Sequence, residues 1–369
     1  MYSIYGQKRV KALLVESIIR NRLAHAYLFY GQPGVGKDAL AIGMAMGMNC
    51  LEGTFGGCTR CDSCRRVLRF EHPGFRMLYP MPTRPKSMKE EKYHALRRDI
   101  LFQRMSNPYL EPSAFSETTT IPIIGIEDIA ELKHELTLKL FKQQFRVFLI
   151  SHADRMTVPA ANSLLKMLEE PPEKAIFFLT TSIPSRLLPT IVSRCQKMRF
   201  DPLTEADIAE VLNDRWQFDR NQAEFFAGLS GGSLQHALEL SAEGFPEKRD
   251  AVLNFLEASF EGDPEVRYAS IEILTVGREK VEILFLFQIL IVLLRDLLCL
   301  QIVDRKKVLN MDSIEQLERF VQKWPTLNPG EGMLHVQHAI DMIQKNVYLP
   351  LALYELSRQL HASASPASG

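Results

Sequence analysis

The sequence predicts an α/β domain built on a parallel sheet, followed by helices through the rest of the chain. Three observations predict it. Short apolar runs at Ala26–Tyr30, Val147–Ile150 and Ile176–Thr180 have the length and β-branched or aromatic content of buried parallel strands, and helical segments separate them. A glycine-rich turn joins the first run to the helical Asp38–Cys50, so strand and helix alternate from the start. After Phe200 the strand signals stop; Thr204–Trp216, Asn221–Leu229 and most of 246–360 have helical spacing.

Taken in order, Val10–Ile19 is the first helical segment, and Ile126–Phe141 and Pro159–Glu169 flank the second strand. The stretch 72–124 contains Pro73, Pro80, Pro82, Pro85, Pro108, Pro112 and Pro122 and the charged run Lys86–Glu91, which predicts an irregular surface insertion. Gly231-Gly232 punctuates the helices, and Gly244–Pro246 marks a second boundary. The tail 362–369, small and polar, is expected to be disordered. At 369 residues the chain is long enough for two or three domains, each with its own core.

Composition narrows the function. Lys plus Arg and Asp plus Glu are both 44, so there is no net charge to support a large electrostatic footprint on nucleic acid; any such contact is local or shared with partners. The basic N-terminal cluster Lys8, Arg9, Lys11, Arg20 and Arg22 fits a solvated helix face as well as a backbone contact. No signal-peptide run opens the chain, and a cytoplasmic location is expected. Ile283–Val303 is apolar enough to resemble a membrane span, but Gln288, Arg295 and Asp296 predict a buried helix of a soluble domain.

Gly31-Gln32-Pro33-Gly34-Val35-Gly36-Lys37-Asp38 has the spacing of a phosphate-binding P-loop, in the strand-to-helix context that the motif needs. Gly31, Gly34 and Gly36 free backbone N–H groups to face phosphate oxygens, and Lys37 is placed to reach the β and γ phosphates. The final hydroxyl, which normally completes a Mg²⁺ shell, is replaced by Asp38. A carboxylate is a hard oxygen ligand, yet at ~5 Å from a polyphosphate it adds about 3 kcal/mol of repulsion at an effective dielectric of ~20. Weak or absent ATP/ADP binding is expected. The second strand should end in the acidic pair that holds Mg²⁺ and positions water; it ends in Ser151-His152, with His152 read as an ordinary solvated histidine. Asp154 lies beyond the strand end and is expected to point elsewhere. The Glu169-Glu170 pair precedes Pro171-Pro172 and reads as a helix stop with solvated charges.

Cys50, Cys58, Cys61 and Cys64 give C-x7-C-x2-C-x2-C, a spacing that lets four thiolates share one tetrahedral ion. With no open coordination position the expected Zn²⁺ is structural, and an iron–sulfur cluster or a redox pair is the alternative. Cys195 and Cys299 are isolated and read as buried free thiols.

His25–Phe29, the P-loop, the four cysteines, Ala153–Thr157, Leu164–Pro172 and Pro189–Cys195 together resemble the AAA+ subunits of the bacterial DNA polymerase III clamp loader, nearest the delta-prime type. The resemblance implies an AAA+ domain (1–200, with a zinc module at 50–64 and the insertion at about 72–124), a helical lid (201–244) and a C-terminal helical collar (245–361). It implies as partners the gamma/tau and delta subunits, the sliding clamp and primed DNA. It also implies that Arg194, in Ser193-Arg194-Cys195, acts in trans as an arginine finger on a neighbour's ATP. Where the motor subunits carry a lid arginine after Gly-Ser-x, this chain has Gln235. Asp38, Ser151, His152 and Gln235 thus depart from the hydrolytic pattern while Arg194 is kept, which fits a stator without ATPase activity. The second reading is a gamma/tau-like motor, supported by Gly36 and Lys37. A third is a stand-alone P-loop enzyme with a zinc ribbon, against which the broad apolar surface of Phe285, Leu286, Ile289, Leu290, Val292 and Leu293 counts. Thr180, Thr181 and Ser182 occupy the family's sensor-1 strand end, where hydroxyls are also commonplace closers of a strand.

Overall fold

The computed structural model describes residues 4–84, 88–112, 121–136, 145–241, 245–278, 280–302, 308–310, 313–345 and 347–364. The chain divides into two compact units, Met1–Phe218 with Ser230–His236, and Asp219–Leu229 with Ala237–Gly369.

The first unit opens with α1 (Lys8–Ile19), β1 (Ala26–Tyr30), α2 (Lys37–Met48) and α3 (Asp62–Leu68). It continues through β2 (Phe75–Leu78), α4 (Glu90–Ser106), α5 (Ile126–Leu136) and β3 (Arg146–Ile150). It ends with α6 (Val158–Glu169), β4 (Ala175–Thr181), α7 (Pro189–Arg194), β5 (Gln196–Arg199) and α8 (Glu205–Trp216). Among the described residues the five strands form one parallel sheet in the order β2-β3-β4-β1-β5, which is the predicted class. The expected helix to Phe141 is seen to Leu136; residues 137–144 lie outside those described, as do 365–369 of the expected tail.

The central strands are continuous apolar runs because both of their faces are covered. Tyr27, Phe29, Val147, Leu149 and Phe178 enter one core with Leu40 and Met44 of α2, while Leu28, Phe148, Ile150, Phe177 and Leu179 enter the other with Leu164 and Leu168 of α6. Tyr27 and Phe178 stack across the β1–β4 pair with ring centroids 5.3 Å apart. Each such fully buried large side chain contributes about 1.5–3 kcal/mol.

The insertion departs from its expectation. Among its described residues it supplies the edge strand β2 and the 17-residue α4. Its prolines lie before, between and after these two elements, where they end structure without interrupting it.

The second unit contains α9 (Arg220–Leu229), most of α10 (Leu234–Leu240), α11 (Phe245–Glu261), α12 (Pro264–Thr275), α13 (Lys280–Gln301), α14 (Ile314–Lys323), α15 (Pro329–Gln344) and α16 (Leu349–Ala364). Helix α13 is long and apolar enough to cross a membrane by length and composition, but it packs against α11, α14 and α15. Asp296, in its middle, is fully buried and accepts hydrogen bonds from Leu309 N at 3.0 Å, Asn310 N at 2.9 Å and Asn310 Nδ2 at 2.7 Å. A buried carboxylate satisfied by backbone donors of a following segment is a device of a folded core.

Candidate functional site: a closed phosphate loop, a surface arginine and a cysteine centre

The loop after β1 lies at the carboxyl ends of the parallel strands, beside the ends of β3 and β4, the usual place for a ligand in such a sheet. Gly34 has φ +72° and Gly36 φ +93°, both in the left-handed region that favours glycine. A Cβ on Gly34 would lie 2.3 Å from Ser233 Oγ, and one on Gly36 3.0 Å from the Tyr109 ring. The loop is therefore covered from two sides within its own unit. The turn at 231–235 is tied to it by Leu234 N donating to Gly34 O (3.2 Å) and Gln32 Nε2 donating to Gly231 O (2.8 Å).

Lys37 does not point into an open cleft. Its ammonium donates to Gly31 O and Gln32 O, each at 2.7 Å, and to Ser182 Oγ at 3.3 Å. An ammonium has three donors, and these contacts use them all. Burial pulls the Lys37 pKa down to about 8, the nearby Asp38 charge only partly opposing it.

Asp38 is buried and fully engaged. Its Oδ2 accepts from Arg104 Nε (2.9 Å), Arg104 Nη2 (2.7 Å) and Ser151 Oγ (2.5 Å), and its Oδ1 accepts from Thr180 Oγ1 (2.6 Å). Three of these bonds converge on Oδ2 and one reaches Oδ1, so both oxygens are engaged within the protein. Burial alone would push this carboxyl up; the Arg104 guanidinium leads the groups that outweigh it and hold Asp38 below its ordinary value. The repulsive carboxylate expected from the sequence is thus neutralised within the protein.

Arg104, only 7% exposed, comes from the last turn of α4. Its Nη1 donates to Leu110 O at 2.6 Å, and its guanidinium sits 5.5 Å from the Tyr79 ring centroid. Tyr79 Oη donates to Glu111 Oε2 at 2.6 Å, and His152 Nε2 lies 3.1 Å from Glu111 Oε1. Glu111 is held down to about 2: burial acts upward, and the His152 hydrogen bond, with Arg104 and Tyr79, outweighs it. His152 is therefore not the solvated histidine expected; it packs edge-on to Tyr79 in this buried network, since the preceding strand delivers it beneath the insertion. Between the loop, Pro108, Glu111, His152 and Thr180–Ser182 remains a cavity of about 20 Å³, room for about one water molecule and not for a triphosphate.

The remaining strand-end groups are also engaged. Thr181 Oγ1 donates to Asp154 Oδ1 at 2.5 Å, so Asp154 faces β4. Gln235 lines the same small cavity.

Arg194 closes α7. Its Nη2 lies 2.7 Å from Glu169 Oε1, its Nη1 donates to Thr190 O at 3.0 Å, and 36% of its side chain is exposed. Glu169 is thus an ion-pair partner and not merely a solvated charge at a helix stop. In the basic N-terminal cluster, Arg9 pairs with Asp201, Arg20 with Glu16, and Lys11 Nζ donates to Ile4 O.

The four cysteines converge. The Sγ atoms of Cys50, Cys58, Cys61 and Cys64 all lie within 4.8 Å of one another, and Cys58 and Cys64 are 3.9 Å apart. A tetrahedral Zn²⁺ with Zn–S of about 2.3 Å sets its sulfurs about 3.8 Å apart, so the donor set fits. Cys61 caps α3: Cys64 N donates to Cys61 Sγ at 3.4 Å, and Cys61 N to Cys58 Sγ at 3.3 Å, both bonds that favour thiolates.

Residues 6–204, just over half of the chain, match the family model described as DNA polymerase III, delta subunit. The chain belongs to the DNA polymerase III delta-subunit family. It is 30% identical over 362 residues to DNA polymerase III subunit delta′ of Bacillus subtilis strain 168, covering 97% of this chain and 92% of that protein. It is 30% identical over 244 residues to subunit tau/gamma of Haemophilus influenzae and 29% over 244 residues to subunit tau of Escherichia coli K12, covering 64% of this chain but only 30% and 32% of those longer proteins. A solved DNA polymerase III gamma subunit-related protein from Thermotoga maritima aligns with 96% of this chain and 100% of that one at 15% identity and a TM-score of 0.43.

In this delta-subunit family member, Arg104, Tyr109 and Glu111 join the loop although no motif in the sequence points to them. A signal for Arg104 was present: it falls four residues after Ile100 and eight after Leu96, on the buried stripe of α4. An arginine on an apolar stripe needs a buried acceptor.

Proposed function

We propose that this chain is a delta-prime-like stator of a bacterial DNA polymerase III clamp loader: it hydrolyses no ATP itself and supplies Arg194 in trans to the nucleotide of a neighbouring subunit. One contrast supports the reading most. The three Lys37 donors and both Asp38 oxygens are engaged inside the unit, whereas Arg194 sits at the surface with an exposed partner.

The energies agree with that division. Releasing Arg194 from an exposed ion pair costs about 0.2–1 kcal/mol. An arginine finger meeting charge on a transferred phosphoryl group is worth ~10³ to 10⁵ in rate, about 4–7 kcal/mol. Engagement with a neighbour's nucleotide wins by a wide margin. The Nη2 now held by Glu169 and the unused guanidinium donors are the groups that would face it.

In this reading residues 1–200 form the AAA+ domain, 201–244 the lid and 245–361 the collar, and the cysteine centre holds a structural Zn²⁺ that fixes 50–64 beside α2. Nucleotide is bound weakly or not at all. The partners are gamma/tau, delta, the sliding clamp and primed DNA in the cytoplasm, with no membrane. A gamma/tau-like motor is disfavoured because both Asp38 oxygens already accept hydrogen bonds inside the unit, two of them from the Arg104 guanidinium.

Reconstitution tests it. The purified chain shows negligible ATP turnover, and clamp loading by the other subunits on primed DNA requires its addition. Robust turnover by the chain alone, or loading at full rate without it, rejects the proposal.

A further inference from the structure

One of the two segments that cover the phosphate loop, residues 104–111, comes from the insertion and not from the P-loop fold itself. We propose that this segment is a permanent internal substitute for Mg²⁺–nucleotide, with the Arg104 guanidinium standing where the cation's charge would act on position 38. The inference deepens the non-hydrolysing reading of this site, but rests on different residues from Arg194.

Several independent features of the segment converge. A P-loop needs positive charge beside its last residue, and Arg104 provides one by two hydrogen bonds to a single Asp38 oxygen, while the Ser151 and Thr180 hydroxyls donate to the same carboxylate. The helix N-terminus that would face a phosphate is covered by Tyr109, whose hydroxyl is fixed by Tyr5 N at 2.9 Å and whose ring meets Gly36. Glu111 brings a negative charge toward the loop, as a phosphate would, and is itself held by Tyr79 and His152. Leu110 O accepts from Arg104 Nη1, so the segment is braced by the residue it delivers.

The consequence is conformational. In a nucleotide-operated subunit, contacts between the loop and the turn at 231–235 would follow ligand binding. Here Leu234 N to Gly34 O and Gln32 Nε2 to Gly231 O are made with the internal segment in place. In this proposal these contacts form without a bound nucleotide.

The test uses the full chain and a fluorescent ATP analogue with Mg²⁺. Wild type shows no saturable binding at submillimolar analogue, and hydrogen–deuterium exchange at residues 31–37 is unchanged by Mg²⁺–ATP. Asp38→Ser combined with Arg104→Gln, which restores the usual hydroxyl and removes the buried charge pair together, gains Mg²⁺-dependent binding at least tenfold tighter than wild type. Micromolar binding or loop protection by Mg²⁺–ATP in wild type overturns the proposal, as does a folded double variant with no gain. The exchange measurement decides the matter even if the double variant fails to fold. Neither outcome touches the trans role of Arg194, which is read from a neighbour's hydrolysis.

Discussion

Arg194→Ala is expected to lower single-turnover ATP hydrolysis at the adjoining site of the reconstituted loader by about 10³-fold, and to leave hydrolysis at sites that Arg194 does not adjoin unchanged. The substitution removes a planar cation at the surface, not a core element, and its partners Glu169 and Thr190 remain on α6 and α7. Because an exposed pair contributes at most about 1 kcal/mol, the variant should fold and assemble as wild type does. Arg194→Lys separates charge from shape: it keeps the positive charge but not the two-pronged donor geometry, and should recover only part of the loss. Equal rates for all three proteins would show that Arg194 does not meet a reacting phosphate.

The second large effect is predicted at the cysteine centre. Cys64→Ser abolishes stoichiometric zinc and loosens the segment from Cys50 to Leu68. Cys58 and Cys64 are buried in the same core cluster as Met46 and Val67, so losing the ion leaves thiols against apolar side chains with nothing to tie the segment down. Structural zinc of this kind contributes an apparent ~10–16 kcal/mol to ordering its segment, more than a small loop could supply by apolar burial. Cys195→Ser is the matched control. Burial pushes the Cys195 thiol up to about 12, far from the thiolate a metal requires, so that variant should keep one zinc per chain by elemental analysis. A chelator should lower the melting temperature of wild type and of Cys195→Ser, and change that of Cys64→Ser little. Full metal content in Cys64→Ser would remove the four-thiolate assignment.

What could be read in the sequence follows from local pattern. β1, β3 and β4 are covered on both faces and so appear as unbroken apolar runs, and the P-loop and cysteine spacings are set by near neighbours. β2 and β5 escaped because each has four residues and sits at an edge of the sheet, with only part of its residues buried. The density of prolines suggested an irregular surface insertion at 72–124, yet the intervals they leave, 74–79 and 86–107, contain β2 and α4. The Asp38–Arg104 pair was beyond local reading: the partners are 66 positions apart, and only the fold brings them together. His152 looked solvated for the same reason, since Tyr79 and Glu111, which enclose it, come from a segment with no periodic link to β3.

The most direct test is a structure of the assembled loader with primed DNA, clamp, and ADP plus a metal-fluoride mimic of the transferred phosphoryl group. The expected result is the Arg194 guanidinium, released from Glu169, within hydrogen-bond distance of the mimic in the neighbouring subunit, and Arg104 still on Asp38. A nucleotide seated over Gly34–Lys37 of this chain, or Arg194 still paired with Glu169 while the neighbour's site is filled, would contradict it.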